Sequence, residues 1–519
     1  MKKRRNFILS MVSIAVLCVN LLAGCGNTGN KPSASGNNPK AEAEVSQTTA
    51  KKEEVKAPPK YVFLFIGDGM SFPQIQSASY YLGALENDGK VEDKKLSFMD
   101  FPVIGNAKTF DKTSFITDSA SAVTAIATGN KTSSGTINMD ESFTKKYESI
   151  AEKLKKQLGY KIGILTSVNI NHATPAGFYA HQDSRDNYYE IGEELAKSGF
   201  DYFAGGGFKE PAGDKEDQKS LYDLAQENGY KVIKTQEEAK KLKAEDGKTL
   251  IVAETLADSD SMNYQIDAKE DEWKLADYVQ KGIEVLDNDK GFFMMAEGGK
   301  IDWACHSNDA VASIHDTIAL SNAVKKALEF YEKHPDETLI LVTADHETGG
   351  LSLGDAGTNY DTYLKNLQKQ RISFAKFDKE YVSKYKENKT DFSTVLKDIK
   401  DNFGLMSSDD ADAAKEPSIV FTEYELNLLK EAYERTLSVG TAKQEDMSQE
   451  EYELYGTCEP LTVTVTHLLD NKSGLSFNSY SHTGLPVPVY AIGSGAQQFG
   501  GYYDNTDIFK KLVELSEVK

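Results

Sequence analysis

Four short apolar runs constrain the fold more than any other feature of the chain. Tyr61-Val62-Phe63-Leu64-Phe65-Ile66 is continuous, of strand length, and ended by Gly67-Asp68-Gly69, which suits a strand buried on both faces. Ile162-Gly163-Ile164-Leu165, Phe292-Phe293-Met294-Met295 and Leu339-Ile340-Leu341-Val342 share that shape, and each is followed within a few residues by Thr, Asp, Glu or His. Helical spacing lies between them, as at Val324, Ala327, Leu328 and Tyr331. Buried strands alternating with amphipathic helices predict an α/β fold with a doubly wound, mostly parallel central sheet flanked by helices. Ligands bind such sheets beyond the carboxyl ends of the strands, and the polar residues fall there.

A chain of 519 residues exceeds one ordinary core, which predicts a large domain over residues 59–519 carrying an insertion. Residues from about 356 to 462 break the rhythm. Val395 and Ile399 share a helical face, Thr422 and Glu425 form a capping-box pattern, and an acidic stretch covers 445–453. The expectation is a mainly helical insertion.

The first 58 residues read as an address and a tether. Lys2, Lys3, Arg4 and Arg5 precede an apolar stretch from Phe7 to Leu22, too short for a membrane span, so residues 1–24 are expected to be an export signal. Leu22-Ala23-Gly24-Cys25 resembles the bacterial lipobox, which implies lipid on Cys25 and a protein anchored on the outer side of a bacterial membrane. Residues 26–57 hold no aromatic residue and almost no large aliphatic one, so 25–58 is expected to be a lipidated flexible spacer. The net charge of −21 becomes about −25 without residues 1–24. Such a surface repels nucleic acid, and an anionic substrate would need a pocket made positive by metal ions. Of four cysteines, Cys305 and Cys458 lie in the folded part, and their spacing leaves pairing open.

Five segments carry candidate chemistry. Asp68 sits between glycines after the first strand. In Thr117-Asp118-Ser119-Ala120, Asp118 can cap a helix that puts Ser119 in its first turn, where the dipole favours an alkoxide and an arriving phosphate. Glu297 follows a buried strand, and Asp302 and His306, four apart, share one face of a helical turn and suit one metal ion. Asp345 and His346 end another strand, and where the chain leaves the sheet both can bend onto one ion. His482 stands alone in Ser481-His482-Thr483-Gly484.

Together with Ile66-Gly67-Asp68-Gly69-Met70 and His172-Ala173-Thr174-Pro175, these segments resemble those of the alkaline phosphatase family, in the family's order and across nearly all of residues 60–519. The resemblance implies a phosphomonoester hydrolase working through a phosphoserine on Ser119. It implies one Zn2+ on Asp302, His306 and His482, a second on Asp68, Asp345 and His346, and one Mg2+ on Asp68, Thr174 and Glu297. Imidazole and carboxylate suit zinc, and oxygen donors suit magnesium. Arg185 matches the family's phosphate-binding arginine, whose fork can hold two nonbridging oxygens. Small phosphomonoesters are the implied substrates. Members often form homodimers, which the sequence leaves open, and the family places elements over the active site where the insertion falls, as a crown-like region.

His172 and Trp303 depart from the enteric bacterial members, which carry an aspartate and a lysine there, so the third ion is expected to differ in affinity or identity. Two other functions are compatible with parts of this pattern. A phosphodiesterase on the same metal core is disfavoured by the pairing of Ser119 with Arg185, and a non-catalytic, ligand-capturing surface lipoprotein would need no nucleophile. Gly129-Asn130-Lys131-Thr132 lacks the earlier glycine of a phosphate-binding loop, and Gly493-Ser494-Gly495 leaves too little chain for a dinucleotide unit. Cys305, His181, His315, His334 and His467 are expected to be structural.

Overall fold

The computed structural model describes residues 58–519. The leader, Cys25 and residues 26–57 of the tether lie outside the described residues.

The strands are, in chain order, β1 (Tyr61–Gly67), β2 (Val103–Lys108), β3 (Lys161–Thr166), β4 (Tyr202–Gly205), β5 (Lys231–Ile233), β6 (Thr249–Val252), β7 (Phe292–Gly298) and β8 (Thr338–Ala344). Four two-residue strands, β9 (Glu347–Thr348), β10 (Ser352–Leu353), β11 (Leu475–Ser476) and β12 (His482–Thr483), precede β13 (Val487–Gly493) and β14 (Gly501–Asp504). Ten of them form one sheet in the order β14-β2-β13-β8-β1-β7-β3-β4-β6-β5. All pairings in it are parallel except those of β13, which runs antiparallel to both β2 and β8. The four apolar runs of the sequence are its central neighbours, β8-β1-β7-β3, and β1, β7 and β8 are buried along their whole length. Toward one edge, β2 alternates buried and exposed residues, as a strand with one wet face should.

Helices cover the sheet. Among them are α1 (Phe72–Glu86), α2 (Ser119–Thr128), α3 (Leu275–Leu286), α4 (Lys300–His306) and α5 (Ala310–Tyr331). Residues 356–462 contain helices and turns and no strand, including α6 (Phe392–Phe403), α7 (Glu423–Ser438) and α8 (Gln449–Tyr455). Val395 and Ile399 are buried on α6, and Thr422 and Glu425 close the capping box of α7. The helical segment runs past residue 462, because α9 (Pro460–Ser473) carries the chain back to β11 and β12. The last helix, α10 (Thr506–Ser516), packs against α2.

Register places the polar residues in one row. Gly67 pairs with Gly298 of β7 and Ala344 of β8, so Asp68 and Asp345 leave the sheet as neighbours. Glu297 pairs with Ile66 and Thr166 one step below. Three carboxylates thus meet at the carboxyl end of the central strands because the flanking residues are in register.

Candidate active site

Asp118 caps α2 by accepting from the backbone N–H groups of Ser121 at 3.0 Å and Ala120 at 3.2 Å. The helix begins at Ser119 and ends at Gly129, whose φ of 71° is the left-handed conformation glycine allows. Ser119 is buried, and its Oγ lies 3.1 Å from His346 Nε2. The expectation that Asp118 caps a helix with Ser119 in its first turn thus matches the observed start of α2.

His346 Nε2 also lies 3.4 Å from Asp68 Oδ1 and 3.2 Å from Asp345 Oδ2. Asp345 is fixed by its other oxygen, which accepts from the N–H groups of Gly69 at 3.2 Å and His346 at 3.0 Å. Next to this group, His306 Nε2 is 3.4 Å from Asp302 Oδ2 and 3.1 Å from His482 Nε2. The two histidines are aimed by backbone carbonyls: His306 Nδ1–H donates to Tyr480 O at 2.6 Å and His482 Nδ1–H to Thr117 O at 2.7 Å. That tautomer leaves both Nε2 lone pairs facing the cluster. The rings of His346 and His482 stack with centroids 3.6 Å apart, which joins the two groups into one.

A third group forms where Glu297 faces Asp68. Thr174 Oγ1 donates to Asp68 Oδ2 at 3.5 Å, and Thr166 Oγ1 to Glu297 Oε2 at 2.5 Å. His172 Nδ1 is 3.9 Å from Glu297 Oε1. Arg185 reaches over from the far side, with Nη1 donating to Asp118 Oδ2 at 3.0 Å and Nη2 3.1 Å from His172 Nε2.

Ligand-type atoms converge within 4.8 Å in three clusters: Asp302 with His346 and His482, Asp68 with Asp345 and His346, and Asp68 with His172 and Glu297. The first differs from the expected set in drawing in His346, while His306 stands beside it at the distances above. The third brings in His172, one of the two positions that depart from the enteric bacterial members. Asp68 Oδ1, Asp345 Oδ2, Glu297 Oε1 and His172 Nδ1 are buried and have no hydrogen-bond partner. The three carboxylate oxygens are buried acceptors left bare and pointing at one another, which is costly unless cations lie between them, so these residues fit divalent metal ions.

The electrostatics agree. Burial, reinforced by the charges of Asp345, Asp302 and Glu297, pushes the Asp68 carboxyl well up. Burial also pushes Asp345 to about 8, with Asp302 and Glu297 adding to it, and Glu297 to about 7 despite the hydrogen bonds it receives. Burial would raise Asp302 too, but the imidazoles of His306, His482 and His346 outweigh it and hold that carboxyl well below its usual range. Burial, with Arg185 beside it, lowers His172 to about 3, so its imidazole is neutral: Nε2 accepts from Arg185, and the ring proton on Nδ1 faces Glu297.

Several contributors carry no sequence signal of their own. Thr166, Thr348, Gln74 and Glu347 brace the cluster, with Gln74 Nε2 donating to Glu347 Oε1 at 2.8 Å and Thr348 O at 3.1 Å. Trp303 packs edge-on to His172, centroids 5.9 Å apart, and also lies over the buried Lys300 ammonium at 4.6 Å. Cys305 and Cys458 are both free thiols, the first buried against Ser313 Oγ at 3.2 Å. Lys131 is tied to Asn505 Oδ1 at 2.7 Å, and His181 and His467 to Glu194 and Asn308, none of them part of the cluster.

The family described as alkaline phosphatase matches residues 59–518. Alkaline phosphatase 4 of Bacillus subtilis is 30% identical, over 98% of this chain and 97% of its own. Alkaline phosphatase 3 of the same organism is 28% identical over 93% of both chains. Among solved structures, a cold-active alkaline phosphatase from a psychrophilic Shewanella species is 27% identical, covers 88% of this chain and 99% of its own, and superposes with a TM-score of 0.71. With the sheet, the capped serine and the clustered carboxylates and imidazoles in place, the chain belongs to the alkaline phosphatase family of phosphomonoester hydrolases.

Proposed function

We propose that the chain hydrolyses small phosphate monoesters in two in-line steps through a phosphoserine on Ser119. One observation carries this reading: the Ser119 Oγ sits at the N-terminus of α2, 3.1 Å from His346 Nε2, with Arg185 anchored on the residue that caps the same helix.

Asp302, His306 and His482 would hold one Zn2+, Asp68, Asp345 and His346 a second, and Asp68, Thr174 and Glu297 one Mg2+, with His172 close enough to contribute. Bound there, the ions supply Lewis acidity that makes the serine hydroxyl and water acidic and neutralises charge in the transition state. The remaining work falls to the chain's own groups. The positive end of α2 favours the Ser119 alkoxide and the incoming phosphoryl group. Arg185 offers its fork to two nonbridging oxygens, and Asp118 keeps it in place between substrates. Ser119 Oγ attacks phosphorus as the alcohol departs opposite it. Water then attacks the phosphoserine from the vacated side, releasing phosphate and restoring Ser119.

Hydrolysis of a chromogenic phosphomonoester, abolished by a chelator and restored by zinc, tests the reading. Radiolabelled phosphate trapped on Ser119 at acid pH tests the intermediate. Activity unaffected by exhaustive chelation would overturn the metal assignment.

Export and attachment through Cys25 are part of the same proposal, supported by the basic leader, the short apolar stretch and the Leu-Ala-Gly-Cys ending. Among the described residues no helix is long and apolar enough to cross a membrane. Labelled palmitate should enter the wild type and not Cys25→Ser.

A further inference from the structure

Thr348 meets a residue of each expected zinc set through one hydroxyl, although it is none of the expected ligands. It lies on β9, where its backbone pairs with His482 of β12. Its Oγ1 donates to Asp302 Oδ1 at 2.5 Å and stands 3.2 Å from His346 Nδ1. Asp302 and His482 are assigned to one zinc position and His346 to the other, so this one side chain spans both.

A hydroxyl has a single proton. The Thr348 proton is committed to the Asp302 carboxylate, which can only accept, so the contact with His346 requires the imidazole Nδ1–H to donate to Oγ1. His346 Nε2 is then left unprotonated, with its lone pair toward Asp68, Asp345 and Ser119. His306 and His482 receive the same orientation from the carbonyls of Tyr480 and Thr117. Of these three imidazoles only His346 has its tautomer set by a side chain, and that side chain is also hydrogen-bonded to a residue of the other position.

The backbone of Thr348 is held independently of its hydroxyl. Its N–H donates to Gly69 O at 3.2 Å, its carbonyl accepts from Gln74 Nε2 at 3.1 Å, and the residue is fully buried. A substitution that keeps the shape and deletes the oxygen should therefore leave the frame in place and remove only the bridge.

We infer that Thr348 is a positioning residue that couples the two zinc positions, orienting His346 for one and Asp302 for the other through a single hydroxyl. This rests on the two-zinc reading of the site. Groups behind metal ligands of this kind typically contribute about 10–100-fold in affinity. Their loss is usually felt at one ion, whereas here it should be felt at two, and linkage makes the effect reciprocal.

The test is zinc affinity, measured on metal-stripped full-length protein by competition with a chromogenic chelator and by metal content after dialysis. Thr348→Val should weaken both zinc positions by about ten- to a hundredfold, and cobalt-loaded protein should show an altered visible spectrum. Thr348→Ser, which restores the hydroxyl, should bring both affinities back to near wild type. The metal-free Thr348→Val protein should unfold at nearly the wild-type temperature, and Thr348→Ala, less demanding in packing, should repeat the zinc result if the valine variant folds poorly. Wild-type affinity at both positions in the valine and alanine variants, or weakening at only one, would overturn the coupling. Wild-type protein that binds no zinc at all would instead overturn the metal reading of the site and the coupling with it.

Discussion

Asp118 and Arg185 form a half-buried ion pair, Oδ2 to Nη1 at 3.0 Å, in which the carboxylate is also the N-cap of the helix that begins at Ser119. Burial disfavours that carboxylate, but Arg185, Ser121 and Gly135 outweigh it and lower Asp118 to about 2. The pair stays ionised near neutral pH, and one residue both starts the helix of Ser119, the proposed nucleophile, and anchors Arg185, the proposed phosphate ligand.

Replacing the charge while keeping the cap separates these roles. Asp118→Asn retains an oxygen for Ser121 N–H and loses the ion pair. Arg185 then has to be ordered by substrate, at about 0.5–1.5 kcal/mol for one side chain. KM and the inhibition constant of inorganic phosphate should both rise by about two- to tenfold, with the melting temperature little changed. Asp118→Ala should in addition lose about 1 kcal/mol of stability with the cap. Steady-state kinetics and thermal melts of both variants check this.

Ser119→Ala should form no phosphoenzyme and lose several orders of magnitude in kcat/KM, while binding zinc as the wild type does. Acid-quenched labelling and metal content, taken on the same preparation, distinguish a lost nucleophile from a lost site.

Metal binding should release protons. In the metal-free fold Asp345 titrates at about 8 and Glu297 at about 7, both pushed up by burial, so at neutral pH they are substantially protonated. Ions can enter only as those carboxyls ionise. Proton release per chain on zinc and magnesium binding should therefore grow as pH falls from about 9 toward 6, read by calorimetry in buffers of different ionisation enthalpy. Release independent of pH would contradict the assignment.

Stability should carry an alkaline penalty from a residue outside the site. His181 lies between Glu152 and Glu194, at 3.5 and 3.1 Å, and is mostly buried. Burial alone would lower it, but the two carboxylates raise it from 6.5 to about 9. A pKa raised on folding stabilises fully below the unfolded value, near 6.5, and that contribution disappears as pH rises through about 9. The full effect is at most about 3 kcal/mol. The stability difference between wild type and His181→Gln, measured by urea unfolding, should be largest below pH 6.5 and mostly gone by pH 10.

Much of this arrangement was legible in the sequence because the central strands are buried on both faces and therefore read as unbroken apolar runs. Asp68, Glu297 and Asp345 follow such runs directly, and Asp302 with His306 announces itself by helical spacing. The antiparallel β13 was not legible, since Val487 to Gly493 includes a proline and ends in glycine. The braces were hidden for a different reason. Thr348 is ordinary as a residue type, and the carbonyls of Thr117 and Tyr480 belong to every amino acid. Their roles arise from approach of segments 365 and 174 residues apart, as for His482 with Thr117 and His306 with Tyr480. His172 was visible as a departure from a pattern, and only its distance from Glu297 and Arg185 shows what it faces.

The chain visits the cluster at Asp68 and does not complete it until His482, after the helical segment and immediately before the antiparallel strand that re-enters the sheet. A growing polypeptide therefore cannot assemble the whole cluster until nearly all of its residues are available to fold. A chain that stops short of His482 keeps the carboxylates of the central strands but lacks the imidazole that closes the cluster, so the chemistry of the site waits on the last part of the chain to fold.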